Sequence, residues 1–275
     1  MSGFHSGHLP LAAVVAILAV ASLPADVAAQ STYPDFQSGP GGWTHPFGGE
    51  FPAVQGSAIP MRNDPAHPHV PNGLRAQPTY RIADLSNPNL KQWAKDLMKK
   101  DNEEVLGGKI AYSPGQSCKP QGMPDYLLAR GPFIFLQTPT KVIMVEEGSQ
   151  LARHISLNVP HSANVKPSWF GESVGHYEGD TLVVDTIGLN TKTFVDSYRT
   201  PHSEKLHVTE RWHLIDGGNM LEVNITVDDP DTFHLPWQTY QRYQRGRRPL
   251  TEDICQEGNF ILFDYGIPVA ARPDF

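Results

Sequence analysis

Two carboxylates on predicted strands are the side chains best placed to do chemistry in this chain. Glu210 shares one strand face with Leu206, Val208, Trp212 and Leu214. Asp185 shares a face with Val183 and Ile187. A carboxylate on an apolar face is costly to bury unless it is paired, and burial raises its pKa, so both are candidate acids or bases. The alternative is a structural ion pair, and its possible partners are Arg153, Arg211 and Arg242.

Acid–base chemistry without a cofactor follows from this placement. His202, in the loop before the strand of Glu210, is expected to donate a proton or orient the substrate, while Tyr240 or Arg242 stabilises developing negative charge. Proton transfer needs only positioned groups with tuned pKa values. We therefore expect a lyase, isomerase or hydratase that acts on a small apolar or aromatic molecule. The expected substrate-binding residues are Trp169, Trp212, Trp237, Tyr240, Arg242 and His207.

Two other functions remain open at this stage, because each aromatic residue is equally suited to the core. A barrel with a dry apolar cavity and fully paired carboxylates would be a lipocalin-like carrier of a hydrophobic ligand. A flat, exposed row of tryptophans would instead indicate a carbohydrate-binding module.

Serine nucleophiles and metal sites are less well supported. The segment 171–175 matches G-x-S-x-G, but that motif needs a strand before it and a helix after it, and here a hairpin and a strand follow. On a strand, the side chains of His207 and Glu210 point to opposite faces, so they cannot bind the same metal ion. Zinc also needs three or four convergent ligands. We therefore expect no metal and no cofactor.

Composition limits both the partners and the fold. The 275 residues include 22 Lys and Arg against 29 Asp and Glu, a net charge of −7. This acidity argues against nucleic acid, whose affinity depends on Lys and Arg neutralising phosphates. The 25 prolines and 24 glycines suit short elements joined by tight turns rather than a helical bundle. The sequence predicts no oligomeric state.

Residues 1–29 are typical of a secretory signal. An apolar run from Leu9 to Leu23 precedes small residues placed for cleavage near Ala29. The alternative, a membrane anchor, is disfavoured because the run is shorter than the ~20 residues that a span needs. We expect a periplasmic or secreted protein with no stable membrane insertion. In that oxidising compartment Cys118 and Cys255 can pair, although two buried free thiols remain an alternative.

The mature chain divides into an arm and one domain. Residues 30–79 are rich in Pro and Gly and are expected to form an extended arm that Trp43, Phe47 and Phe51 hold against the body. One helix is expected after Asn87, with Pro88 at its first position. Its predicted apolar face consists of Leu90, Trp93, Ala94, Leu97 and Met98.

Beyond Pro132 the hydrophobic period changes to two, which is typical of β-strands. The predicted strands are Phe133–Thr138, Val142–Glu147, Leu151–Leu157, Thr181–Ile187, Leu206–Ile215, Met220–Val227, Trp237–Tyr243 and Asn259–Phe263. Their near-meander order predicts an antiparallel sheet that closes into a barrel or folds into a sandwich. The preferred fold is mostly β, a calycin-like or lipocalin-like antiparallel barrel of about eight strands within residues 80–275.

Residues 115–258 resemble a family of secreted bacterial β-barrel proteins with no assigned activity. The segments that match are Cys118–Pro124, Trp169–Thr186, Pro201–Arg211, Asp228–Pro230, Pro236–Trp237 and Cys255–Glu257. The resemblance implies that both cysteines belong to one framework and that the loop around His202 is a characteristic feature. It implies no reaction.

Overall fold

The structure is a computed structural model. It describes residues 1, 3, 33–37, 41–45, 49–68, 81–108, 113–128, 131–148 and 151–255. The chain divides into the units Met1–Thr32 and Tyr33–Phe275, and every helix and strand below belongs to the second. Apart from residues 1 and 3, the predicted signal segment 1–29 lies outside the described residues, as does the predicted strand Asn259–Phe263.

The described strands form a closed barrel in which neighbours follow chain order and the last strand pairs with the first. They are β1 Trp43–Thr44, β2 Phe133–Gln137, β3 Lys141–Glu146, β4 Arg153–Leu157, β5 Glu172–Glu178, β6 Thr181–Ile187, β7 His207–Ile215, β8 Met220–Asp228 and β9 Trp237–Arg245. The prediction of a mostly β barrel is therefore confirmed. The barrel has nine strands rather than about eight, because β1 and β5 were not predicted.

The barrel is mixed and not purely antiparallel, which corrects the prediction. Strands β4 and β5 pair in parallel, with Ile155 opposite Ser173, while every other neighbouring pair is antiparallel. Antiparallel neighbours must alternate in direction, and a closed ring of nine cannot alternate throughout. One parallel contact is therefore required, and the connection 158–171 makes the crossover that a parallel pair needs.

The N-terminal segment belongs to the barrel itself. Trp43 of β1 is fully buried and pairs with both Phe133 and Arg245, so it closes the ring between β2 and β9. Phe36 is also fully buried, and Phe51 packs 5.9 Å from the ring of Trp237. The described parts of the predicted arm therefore pack against the barrel. Phe47 lies outside the described residues.

One α-helix, α1 Gln92–Leu106, lies before the second strand. It starts later than predicted, because Asn87 accepts a hydrogen bond from the backbone N–H of Asn89 in a preceding turn. Its buried residues are Ala94, Met98 and Asn102, a narrower face than predicted, whereas Trp93 and Leu97 are exposed. Among the described residues, no helix is long and apolar enough to cross a bilayer.

Aromatic rings fill part of the barrel interior. Trp212 of β7 stacks on Tyr243 of β9 with 6.0 Å between ring centroids, and Phe133 meets Tyr243 edge-on at 4.7 Å. Phe135 lies 5.3 Å from Trp212. These rings occupy the space that an interior ligand would need.

A disulfide joins Cys118 to Cys255, with their Cα atoms 5.6 Å apart. The predicted pairing is confirmed, and the alternative of two free thiols is wrong. The bond connects the segment before β2 with the segment after β9, so the loop that it closes contains eight of the nine strands.

Candidate functional site

Glu210 points into the barrel, as the alternation of β7 predicts, but it is fully engaged in an ion pair. Its two carboxylate oxygens accept hydrogen bonds from Arg153 Nη1 at 2.8 Å and Nη2 at 2.7 Å. Trp212 Nε1 donates a third at 2.9 Å. Arg153 also donates to Ser173 and Thr186, and both charged side chains are 0% exposed. The structural alternative therefore describes Glu210 better than a catalytic role.

Asp185 does not lie inside the barrel. It is on the outer face with His207 of β7, whose Nε2 contacts Asp185 Oδ1. His161, from the connection between β4 and β5, lies between Asp185 Oδ2 at 3.3 Å and Glu172 Oε1 at 3.0 Å. These contacts hold the crossover against the outer face. Within the described ranges, no three His, Cys, Asp or Glu side chains converge as a metal site.

His202 is a buried structural residue rather than a group at the barrel mouth. Its Nδ1 donates to the carbonyl of Ser203 at 2.8 Å, and its Nε2 accepts from the hydroxyl of Thr193 at 2.8 Å. Burial lowers the pKa of His202. Because both ring nitrogens are engaged and the side chain is 3% exposed, His202 orders its loop instead of reaching a substrate.

The predicted tryptophan walls do not surround a common space. Trp212 is in the aromatic interior, and Trp237 is 1% exposed between Phe51 and Phe233. Trp169 is partly buried in the connection before β5. None of the three lines either of the two cavities described below.

The larger cavity lies along the edge of β9 where β1 does not reach. Within β9, β1 pairs only with Gln244 and Arg245. Nearer the start of β9 the neighbour is the segment 49–58, in which Ala58 pairs with Trp237. Thr239 Oγ1 donates to the carbonyl of Pro52 and Gln241 Nε2 to that of Glu50, each at 2.7 Å. Beside these contacts lies a cleft of about 630 Å³, here called the seam cleft. It is lined by His45, Glu50, Phe51, Pro52, Ala53, Met61, Arg62, Asn63, Tyr240, Gln241 and Arg242.

Two arginines give the seam cleft a positive character. Arg242 donates from Nε to Glu222 at 2.6 Å and lies 4.9 Å over the ring of Tyr240. Its two terminal nitrogens, like the side chain of Arg62, have no hydrogen-bond partner among the described residues. The Glu50 carboxylate is already bonded by Arg81 and by the hydroxyl of Tyr198.

His45 adds an uncharged polar wall to the seam cleft. Its Nε2 donates to Gln241 Oε1 at 2.5 Å, because the amide nitrogen of Gln241 is committed to Glu50. Burial lowers the pKa of His45, so the ring is neutral at pH 7. The cleft thus combines guanidinium donors with the apolar surfaces of Phe51, Met61 and Tyr240.

Comparison with known proteins does not indicate a function for this chain. No family model, curated protein or solved structure matches the chain. The resemblance to secreted bacterial β-barrel proteins therefore stays a prediction. Of the predicted site residues, Tyr240 and Arg242 line the seam cleft. Arg62 and Met61, which face them, had no sequence signal because they belong to an aperiodic segment.

A second cavity, of about 100 Å³, lies beside the disulfide and is here called the disulfide cavity. It is lined by Gly115, Cys118, Lys119, Pro120, Gln121, Tyr126, Glu146, Gly148 and Cys255. Glu146 follows the buried Val142 and Met144 on the inner face of β3, the same pattern that singled out Glu210. Tyr126 belongs to the buried 3₁₀ turn Asp125–Leu128.

Two carboxyl groups near this cavity have pKa values well above those of free carboxyl groups. Burial, with the carboxylate of Asp196, raises the pKa of Asp125 to about 8. Burial, with the carboxylate of Asp125, raises the pKa of Glu146 to about 8. Both carboxyl groups therefore titrate near pH 8.

This pair is expected to make the protein less stable as the pH rises from 6.5 to 8.5. The folded chain keeps protons that the unfolded chain has already released, so each group lowers the free energy of unfolding by up to about 1.4 kcal/mol per pH unit. His45 and His202, whose pKa values are lowered, oppose this trend only at lower pH, where the unfolded chain takes up protons. Urea unfolding across this pH range measures the slope.

Neutral isosteres isolate the contribution of the pair. Glu146→Gln and Asp125→Asn should each flatten the pH dependence, whereas Glu178→Gln, on the exposed end of β5, should leave it unchanged. An identical slope in the wild type and in both variants of the pair would contradict the assignment.

Proposed function

We propose that the protein binds a small molecule with an aromatic or apolar part and a carboxylate, and that it does so in the seam cleft. The observation that supports this most directly is the position of Arg62 and Arg242 beside Tyr240 in a cleft of about 630 Å³. Ligand sites of this size combine apolar walls with a few placed polar groups.

The chemistry of the lining favours an anion. A guanidinium presents N–H groups in a planar fork that matches a carboxylate. Arg242 keeps its terminal nitrogens available while Glu222 holds its Nε, so the side chain is oriented before a ligand arrives. Phe51, Met61 and Tyr240 offer surface to the rest of the molecule.

Binding is favoured over turnover by the state of the expected catalytic residues. A lyase, isomerase or hydratase needs a proton-transfer group that can reach its substrate. Glu210 is saturated by Arg153 and Trp212, and both ring nitrogens of His202 are engaged. We therefore propose a carrier or receptor that differs from a calycin-like carrier in holding its ligand at the barrel seam.

We also propose that the protein acts outside the cytoplasm, in the periplasm or as a secreted protein, after cleavage near Ala29. The disulfide between Cys118 and Cys255 supports this, since such bonds persist in oxidising compartments. Three of the five tryptophans are buried, which disfavours a carbohydrate-binding surface built on them.

The cleft assignment is tested with benzoate and phenylacetate, measured by calorimetry and thermal shift. Both should raise the melting temperature, while benzamide and benzyl alcohol, which lack the charge, should do so much less. Arg62→Gln and Arg242→Gln should each weaken carboxylate binding about 10- to 100-fold, the effect of losing a charge-assisted hydrogen bond.

A matched control separates a specific site from general charge. Arg211→Gln removes an arginine of the outer face that pairs with Glu178 and does not line the cleft. It should bind both acids like the wild type. Equal binding of the neutral probes, or equal weakening by all three arginine variants, would overturn the proposal.

A further inference from the structure

Two polar groups that line the disulfide cavity form no hydrogen bond or ion pair with the described residues. Tyr126 is 4% exposed, and its hydroxyl has no hydrogen-bond partner among the described residues. Glu146 lines the same cavity and forms no hydrogen bond or ion pair with any described residue. Buried polar groups are nearly always hydrogen-bonded, so an unpaired hydroxyl beside a carboxyl indicates a missing partner.

The missing partner is expected to be positive. Asp125 is 8% exposed and close enough to raise the pKa of Glu146, and it too lacks an ion pair in the described ranges. Arg153, the buried arginine whose charge acts on Tyr126, is committed to Glu210 by two hydrogen bonds. When these two carboxyl groups ionise, neither has an ion-pair partner among the described residues.

We propose that the disulfide cavity binds a small cation that carries N–H groups, an ammonium or a guanidinium, between Glu146 and Tyr126. Such a cation donates to the carboxylate and to the phenolic oxygen at once, which a bare metal ion cannot do. A volume of about 100 Å³ suits a molecule of a few heavy atoms. Pro120 and the disulfide provide apolar walls for its carbon atoms.

Binding must be coupled to proton release. The titratable and charged groups around Glu146 are Asp125 and Tyr126 of the 3₁₀ turn, Tyr243 of β9, Arg153 of β4 and Lys119 of the lining loop. Because burial raises the pKa of Glu146 to about 8, the group is protonated at pH 7. The cation must displace that proton, so its affinity should rise about tenfold per pH unit up to pH 8.

Methylammonium chloride is the probe, titrated by calorimetry at pH 6, 7 and 8 in buffers of different ionisation enthalpy. The expected result is saturable binding with release of about one proton at pH 7. Tetramethylammonium has the same charge but no N–H group, and it should bind at least tenfold more weakly. Glu146→Gln should lower the affinity at least tenfold and abolish the proton release.

The ammonium can come from the chain or from solution, and Lys119 separates the two sources. If Lys119 itself fills the cavity, the wild type will not bind methylammonium and Lys119→Gln will. If the ligand is a free amine, both proteins will bind it. The conservative Glu178→Gln, remote from the cavity lining, serves as the control and should bind like the wild type.

Two results would overturn the proposal. One is the absence of methylammonium binding in both the wild type and Lys119→Gln. The other is equal binding by Glu146→Gln, or by tetramethylammonium in place of methylammonium. Neither bears on the seam cleft, which shares no lining residue with this cavity.

Discussion

An Arg153→Met variant is expected to lose about 3–5 kcal/mol of its free energy of unfolding. The substitution removes both guanidinium hydrogen bonds to Glu210, whose side chain is 0% exposed. The carboxylate then keeps only the indole N–H of Trp212 in an interior of aromatic rings. An unpaired charge buried in this way costs far more than the packing lost. Urea unfolding followed by tryptophan fluorescence measures the change.

Two companion variants make this result specific. Arg211→Met breaks the exposed pair with Glu178 and should change stability by less than about 1 kcal/mol. The double variant Arg153→Met/Glu210→Leu removes both charges and should recover most of the loss, because apolar residues often replace a buried pair at little cost. If Arg153→Met were as stable as the wild type, Glu210 would again be a candidate for catalysis.

Removing the disulfide is expected to cost about 5 kcal/mol, the chain-entropy value for a loop of this length. The bond links residues separated by 137 positions and encloses strands β2 to β9. Without it the unfolded chain gains a large conformational freedom, while the barrel keeps its strand pairing. Cys118→Ser, Cys255→Ser and the double variant, each compared with the wild type by urea unfolding, measure the effect.

The three variants should lose the same amount, since each removes one and the same bond. Alkylation and mass spectrometry of the non-reduced wild-type protein should find no free thiol. Two alkylatable cysteines, or a double variant as stable as the wild type, would refute the assignment.

Sequence alternation identified the inner face of β7 correctly and that of β6 incorrectly, for one physical reason. In β7 every apolar residue except the terminal Ile215 occurs on one face, so Glu210 had to point inward. In β6, Val183 on the outer face is nearly as buried as Val184 on the inner face. Hydrophobicity therefore does not separate the two faces, and Asp185 was assigned to the wrong one.

Strand β5 was missed because its inner face has little apolar signal. That face contains Ser173, Gly175 and Tyr177, and the serine is there to bond Arg153 and Thr186. A Cβ at position 175 would lie 2.8 Å from the carbonyl oxygen of Val183, so only glycine fits. The G-x-S-x-G match is therefore explained by packing: Ser173 bonds the buried Arg153, and Gly175 leaves room for the neighbouring strand.

The seam cleft was the least predictable feature. Tyr240 and Arg242 were proposed as ligand-binding residues, but as part of a barrel interior that their side chains do not enter. Their partners in the cleft come from the segment 45–63, and Gln241 bonds Glu50 across 191 positions of sequence. Only closure of the barrel brings such distant segments together, and local hydrophobic patterns contain no information about it.

The odd number of strands has a consequence for how this protein can change in length. Adding or deleting a complete hairpin leaves the direction of every later strand as it is, so β9 still meets β1 in the antiparallel sense. Adding or deleting a single strand reverses all that follow and destroys that final match. The crossover 158–171 joins the one parallel pair of the described barrel, β4 and β5, and so allows an odd number of strands to close. Engineered insertions should therefore be tolerated in steps of two strands, and shortening the crossover to a tight turn should not.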